Sequence, residues 1–211
     1  MGGHFKLKTM LLLSGGMDSA ALLWWKRPEV ALTIDYGQLA AEAEIAASKE
    51  FCRILDIPHE VLKIDCRELG SGDMAGQEAN EYAPASDWWP YRNQFLITIA
   101  SMRAISMGVN RIWIGTVRSD FSHKDGTIMF IDHINRLMLI QEGNITVEAP
   151  AIHYSTKELI EISGIPMEVL SWSHSCHKAN FACGNCRGCN KYFQIYRELG
   201  YVLDRHADFE C

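Results

Sequence analysis

Near its start the chain runs Thr9-Met10-Leu11-Leu12-Leu13, apolar after its first residue. It passes directly into Ser14-Gly15-Gly16-Met17-Asp18-Ser19 and an amphipathic stretch from Asp18 to Trp25. A short buried strand that ends on two glycines and opens a helix is the entry unit of an α/β sheet. The glycines let backbone N–H groups approach an anion, the serines add hydroxyl donors, and the helix N-terminus adds a favourable dipole. The loop therefore reads as a phosphate site. It lacks the Gly-Lys-Ser/Thr ending of a Walker A loop and the spacing of the dinucleotide fingerprint. The plain alternative is a turn in which Asp18 or Ser19 caps the helix.

The same alternation continues. Val30 to Ile34 reads as a second strand ending at Asp35-Tyr36-Gly37, and a helix over 38–55 aligns Ala43, Ala47, Phe51 and Ile54. Strands are expected at 61–64, 111–115 and 145–147, and helices at 93–107, 127–141 and 155–163. Residues 66–91 have no sustained period and carry Gly70, Gly72, Gly76, Pro84 and Pro90, which predicts a long mobile loop. Strands alternating with helices predict an α/β fold, a Rossmann-like parallel sheet with helices on both faces. Ligands in such sheets sit beyond the carboxyl ends of the strands, here the loops at 14–19, 35–38, 66–92 and 116–126. A nucleotide-binding domain over 1–170 and a small cysteine-rich lobe over 171–211 are expected.

Composition narrows the partners. Apolar residues at 48% and charged residues at 22% exclude a disordered chain, and no run of eighteen apolar residues offers a membrane span. Met1 to Lys8 lacks the apolar core of a signal peptide, so a cytoplasmic location is expected. Net charge is −6, but residues 35–90 hold 12 acids and 4 bases, a net of −8, leaving +2 for the remainder. That distribution weighs against a broad nucleic-acid surface.

Four of the seven cysteines, Cys176, Cys183, Cys186 and Cys189, fall within fourteen residues, with Gly184 and Gly188 between them. In a reducing compartment this spacing points to a metal, and four thiolates with no open position suit structural Zn²⁺. An iron–sulfur cluster is the rival, although the C-x₃-C-P continuation of ferredoxins is absent. His174 and His177 flank Cys176 as substitute ligands, and Cys52, Cys66 and Cys211 read as ordinary thiols.

The complete Ser-Gly-Gly-x-Asp-Ser at the end of the first strand resembles the PP-loop of the N-type ATP pyrophosphatases, which cut ATP between the α and β phosphates. Three further stretches narrow this: Leu32-Thr33-Ile34-Asp35-Tyr36-Gly37-Gln38, Tyr91-Arg92-Asn93-Gln94-Phe95-Leu96 and Ser171-Trp172-Ser173. With the four cysteines they are similar to the QueC family of 7-cyano-7-deazaguanine synthases, from about residue 9 to 200. Ile114-Gly115, Asp120-Phe121-Ser122 and Ser155-Thr156-Lys157-Glu158 also fall where that family has similar segments.

The resemblance implies a HUP-type Rossmann-like fold and an AMP-forming carbon–nitrogen ligase of queuosine biosynthesis. In that family the carboxylate of 7-carboxy-7-deazaguanine is adenylated, ammonia gives the amide, and a second adenylation leads to the nitrile. ATP, Mg²⁺, Zn²⁺ and a homodimer are implied with it. Ser14, Gly15, Gly16, Asp18 and Ser19 would hold phosphate and Mg²⁺, with Asp35 toward the nucleotide. Tyr36, Gln38, Arg92, Asn93, Asp120 and Ser122 would serve the substrate, and Lys157 would meet the leaving group.

The chain departs from the family in three places. Leu39-Ala40 stands where Arg-His is usual, and His123-Lys124-Asp125-Gly126 replaces a Gly-Tyr-Pro-Asp-Cys-like segment. Trp172-Ser173-His174-Ser175-Cys176 replaces Trp-Ser-Cys. These changes suggest a second reading, a QueC-like paralogue of antiviral defence that joins the activated carboxylate to an amine of a partner protein. Trp88 and Trp89 would then form an exposed partner surface, or else pack over the site. A PP-loop enzyme acting on tRNA is disfavoured by the acidic excess, and a non-catalytic nucleotide-binding protein by the intact Ser-Gly-Gly-Met-Asp-Ser.

Overall fold

The structure, a computed structural model, describes residues 7–201. Cys211 and the outer ends of the two expected domains lie outside the described residues. Five parallel strands form one sheet in the order β3-β2-β1-β4-β5. They are β1 (Thr9–Leu12), β2 (Val30–Asp35), β3 (His59–Lys63), β4 (Arg111–Trp113) and β5 (Thr146–Glu148). Met10 lies opposite both Val30 and Ile112, and Ile112 opposite Val147. The chain winds outward from β1 to β3, then returns to start β4 on the other side of β1. The topological switch point, and with it the ligand crevice, therefore lies between the loops after β1 and β4.

The two-residue period of the strands sorts the core into two layers. Met10, Val30, Leu32, Ile34 and Ile112 face one layer, which α3 (Arg92–Met107) and α4 (Ile128–Leu139) cover with Ile97, Ala100, Ala104, Ile134 and Met138. Leu11 and Ala31 face the other, covered by α1 (Met17–Lys26), α2 (Ala41–Leu55), α5 (Thr156–Ser163), α6 (Met167–Leu170) and α7 (Arg187–Glu198). Leu22, Phe51, Leu159, Leu170 and Ile195 are among its buried residues. The expected sheet with helices on both faces is the observed one. Among the described residues no helix is long and apolar enough to cross a membrane.

Local chemistry sets the ends of these elements. Ser155 caps α5 by accepting the Glu158 N–H at 3.2 Å, while Glu158 returns a bond to the Ser155 N–H at 2.7 Å. Gly164 then closes the helix at φ 64°. Ser155→Ala is expected to destabilise the protein by about 1 kcal/mol in denaturant unfolding, with an unchanged slope.

Several boundaries differ from expectation for identifiable reasons. The helix expected from residue 38 begins at Ala41, because the Gln38 side chain accepts the Tyr36 N–H at 2.9 Å and holds a turn there. Residues 66–91 carry one 3₁₀ turn, Arg67–Leu69, and are otherwise irregular. They are nonetheless tied: the Asp73 N–H donates to Ser86 O at 2.7 Å, and Ser86 Oγ to the Asp73 carboxylate at 2.8 Å. Trp89 is 4% exposed and packs edge-to-face on Tyr36 at 4.9 Å, so of the two readings of Trp88-Trp89 the packed one holds for Trp89; Trp88 is half-buried. The amphipathic α7 was hidden in the sequence by the cysteines at its start.

Candidate active site and metal centre

A cavity of about 290 Å³ opens at the switch point. Its floor is the loop from β1 to α1. Gly15 takes φ 73°, and a Cβ there would stand 2.6 Å from the Glu44 carbonyl oxygen, so only glycine fits between this loop and α2. Gly16 precedes α1 with no side-chain cap, which leaves the first-turn N–H groups facing the cavity for an anion. Ser14 Oγ and Ser19 Oγ lie 3.2 Å apart, and both residues line the cavity. Asp18 projects from the same turn. Its Oδ2 meets Lys191 Nζ at 2.8 Å, while its Oδ1 is buried with no hydrogen-bond partner. A buried carboxylate oxygen without a donor is costly, and a hard cation is the partner that suits it.

The other expected residues divide into two groups. Tyr36, Arg92, Asn93 and Asp120 line the cavity with Ser14, Gly16, Asp18 and Ser19. Tyr36 is buried against Trp89 and Phe95, and burial raises its pKa. Arg92 opens α3 and donates to Met74 Sδ at 2.8 Å. Asn93 is fixed by Asp125, to whose carbonyl its Nδ2 donates at 3.0 Å. Asp120 accepts the Val117 N–H through Oδ2 at 3.1 Å and turns Oδ1 toward Lys191 at 3.4 Å.

Asp35, Gln38 and Lys157 do not line the cavity. Asp35 caps its own turn by accepting the Gly37 N–H at 3.1 Å and pairs with Lys63. Gln38 is buried and donates to Glu44 at 2.8 Å, so it reaches the cavity only through that residue. Lys157 lies on the first turn of α5 and faces Glu161 at 3.8 Å. Ser122 shares the 3₁₀ turn Arg118–Ser122 with Asp120, and its side chain lies outside the described residues.

Three contributors escaped the sequence reading. Lys191, on the first turns of α7, bridges Asp18 and Asp120; burial opposes its charge, but the two carboxylates prevail and raise its pKa. Glu44 lines the cavity, and burial pushes its carboxyl up to about 7 despite the Gln38 hydrogen bond. Asp87 holds the long loop to its surroundings, with His123 Nε2 at 3.4 Å, His177 Nδ1 at 3.5 Å and Arg187 Nη1 at 3.0 Å. Burial alone would raise the Asp87 carboxyl, yet these neighbours hold it well below the ordinary range. Lys191 and Asp87 have no local sequence signal, because their partners come from distant segments; Glu44 is bonded by Gln38, six residues before it.

The four cysteines converge. Their sulfurs all lie within 4.8 Å of one another, with Cys183 to Cys189 at 3.9 Å and Cys176 to Cys186 at 4.0 Å. One tetrahedral ion with metal–sulfur bonds of about 2.3 Å needs sulfurs about 3.8 Å apart, so the donor set fits a single ion. A four-iron cube binds one thiolate per iron and spreads the sulfurs further. Cys186 Sγ accepts the N–H groups of His177 at 3.4 Å and Cys189 at 3.3 Å. Burial pushes the Cys189 thiol up to about 12, so a cation must displace its proton. Neither flanking histidine joins the set: His174 Nε2 engages the Ala179 carbonyl at 2.9 Å and His177 faces Asp87.

A family model described as queuosine biosynthesis protein QueC matches residues 8–200. The chain belongs to the QueC family. Like that family it is an ATP-dependent ligase of the PP-loop class. Among curated QueC-type relatives, 7-cyano-7-deazaguanine synthase of Desulforudis audaxviator is 31% identical, covering 93% of this chain and 99% of the relative. The enzyme of the same name from Methanocaldococcus jannaschii is 29% identical over 92% of this chain and 96% of its own. In fold, the chain is similar to NMN synthetase from Francisella tularensis at a TM-score of 0.50, with 14% identity, covering 93% of this chain and 79% of that one. Within the QueC framework the chain carries the PP-loop motif of the family, and its four cysteines form a cluster able to hold a metal ion.

Proposed function

We propose that this chain adenylates the carboxylate of 7-carboxy-7-deazaguanine and passes the activated acyl group to ammonia, giving the amide and then, through a second adenylation, 7-cyano-7-deazaguanine. The carrying observation is one cavity that gathers the glycine loop, a buried Asp18 oxygen without a partner, and Arg92. A carboxylate is a poor acyl donor at neutral pH. When one of its oxygens attacks the α-phosphorus, the bond to the bridging oxygen breaks and pyrophosphate leaves with the electron pair. An amine nitrogen then attacks the acyl carbon of the mixed anhydride and AMP leaves with the electron pair; adenylation of the amide oxygen lets a second AMP leave, with loss of the nitrogen's protons, as the nitrile forms.

The work assigned to the protein is positioning and charge compensation. Ser14, Gly16, Ser19 and the N-terminus of α1 bind phosphate, with Gly15 shaping the loop. Asp18 and Asp120 would hold Mg²⁺, which when bound neutralises phosphate charge. Arg92 binds the substrate carboxylate, and Tyr36 and Asn93 flank the base. Gln38 acts by orienting Glu44, and Asp35 by fixing the turn before it. The four cysteines would hold Zn²⁺. A homodimer is part of this reading, supported by the exposed Met102 and Ile105 of α3 and Ile128 and Met129 of α4.

The test is product analysis by mass spectrometry after incubation with ATP, Mg²⁺ and 7-carboxy-7-deazaguanine, with and without ammonium. AMP and nitrile are expected with ammonium. No AMP under any condition would overturn the reading. AMP released only with a partner protein present, and a deazaguanine mass on that protein, would replace ammonia by a protein amine. The departures at Leu39-Ala40 and His123 to Gly126 keep that second reading in view.

A further inference from the structure

The helix α7 starts in the cysteine centre and ends in the core, and between the two it sends Lys191 into the cavity. Lys191 stands two residues beyond Cys189, and Cys186 Sγ caps the helix by accepting the Cys189 N–H. Its Nζ meets Asp18 Oδ2 at 2.8 Å and Asp120 Oδ1 at 3.4 Å, spanning the crevice from the loop after β1 to the turn after β4.

The seat of this helix is closely fitted. A Cβ on Gly188 would overlap the Ser175 carbonyl oxygen and press on the His177 ring, so the first turn of α7 lies directly on residues 175–177. That segment is itself bound to the glycine loop, since the His174 N–H donates to Gly15 O at 2.9 Å. Charge makes the same demand. The charged side chains lining the cavity are Asp18, Glu44 and Asp120 against Arg92 and Lys191. Without Lys191, the carboxylates of Asp18 and Asp120 would face a polyanion with no cation beside them. Arg92 lies toward Met74, Tyr36 and Glu44, so the cation beside Asp18 is Lys191.

We infer that Lys191 is a catalytic residue of the nucleotide site: it holds Asp18 and Asp120 before ATP binds, and it meets the phosphate chain and the departing pyrophosphate afterwards. This inference rests on the reading of the cavity as an ATP site, and it gives Lys191 the role that the family resemblance places on Lys157. The metal-tied lobe thereby becomes the carrier of a residue of the ATP site.

The test compares Lys191→Met, Lys191→Gln and Lys191→Arg with the wild-type protein. Calorimetric titration with ATP and Mg²⁺ is expected to show affinity reduced at least tenfold in the Met and Gln variants and restored to within about threefold in Arg. AMP formation should fall at least a hundredfold in the first two. The Mg²⁺ midpoint of residual turnover should move to lower concentration, because no ammonium competes for Asp18. Gln can still hydrogen-bond both carboxylates, so a purely structural bridge would be rescued by it; ATP affinity restored by Gln would overturn the inference. Unchanged ATP affinity in Met would do the same. Weakened ATP binding in Met and Gln, in a protein whose wild type makes no AMP from the deazaguanine acid, would uphold Lys191 and reject the proposed substrate.

Discussion

Asp18→Asn is expected to abolish AMP formation, with turnover down at least a thousandfold, about 4 kcal/mol of transition-state stabilisation. The substitution keeps the shape of the side chain and removes its charge. What it takes away is an oxygen, Oδ1, that is buried and has no donor within the protein. An uncompensated carboxylate oxygen in that position is retained at a cost to the fold, which makes sense if a cation meets it during the reaction. Relief of the unpartnered Oδ1 and loss of the ion pair with Lys191 oppose each other while Asp120 still pairs that lysine, so the unfolding free energy should change by no more than about 1 kcal/mol. Denaturant unfolding and single-turnover AMP release, measured side by side, check both halves. Normal turnover would remove Asp18 from the site. Lost turnover with lost stability would mean that Asp18 serves the fold through Lys191 alone.

The architecture was legible because its cues are local. Met10, Leu11, Leu12 and Ala31, Leu32 sit in strands buried on both faces, which read as unbroken apolar runs ending on glycine or on an acid and a glycine. The order β3-β2-β1-β4-β5 was not legible, since parallel pairing leaves no local mark; only the general rule of the switch point anticipated where the cavity would open. Trp88-Trp89 leave an exposed surface and a packed cover both open, because two adjacent tryptophans in an irregular segment carry no sign of what covers them. The cover for Trp89 is Tyr36, some fifty residues earlier in the chain.

The site was legible to the same degree. Ser14 to Ser19 form one contiguous turn, so the motif and the geometry coincide. Lys157, which the resemblance turns toward the leaving group, lies between Ser155 and Glu158, and these are occupied in a capping box that accounts for the Ser-Thr-Lys-Glu pattern by itself. Lys191 has the opposite character, with no local pattern to mark it. It is 173 residues from Asp18, and its placement depends on the docking of a lobe whose helix the cysteines concealed. Gly188, which stands between the thiolates, is required by contact with Ser175.

That docking sets the second large effect. Stripping the metal with a strong chelator, or Cys189→Ser, is expected to lower the melting temperature by about 8–16 °C, from a loss of about 4 kcal/mol. ATP affinity should fall with it. The cysteine centre is the N-terminal anchor of α7, and α7 places Ile195 and Tyr196 in the core beside Leu11 and Leu159. The lobe also holds the site walls at separate points: His174 to Gly15, Asn180 Oδ1 to the Ala43 N–H at 3.2 Å, Lys178 to Asp73 at 3.3 Å and Arg187 to Asp87. Once the thiolates lose their ion, burial favours the protonated form of Cys189, and the four sulfurs no longer share a cation that holds the tight turn. Protons and metal compete for the same sulfurs, so release should become easier as pH falls. Metal analysis, melting curves and ATP titration on one sample decide the matter. Cys66→Ser, outside the centre, should keep about one zinc per chain. A metal-free protein that kept its melting temperature but lost ATP binding would confine the lobe's role to Lys191. One that kept both would make the lobe an appendage, and would leave the contact between His174 and Gly15 without a purpose.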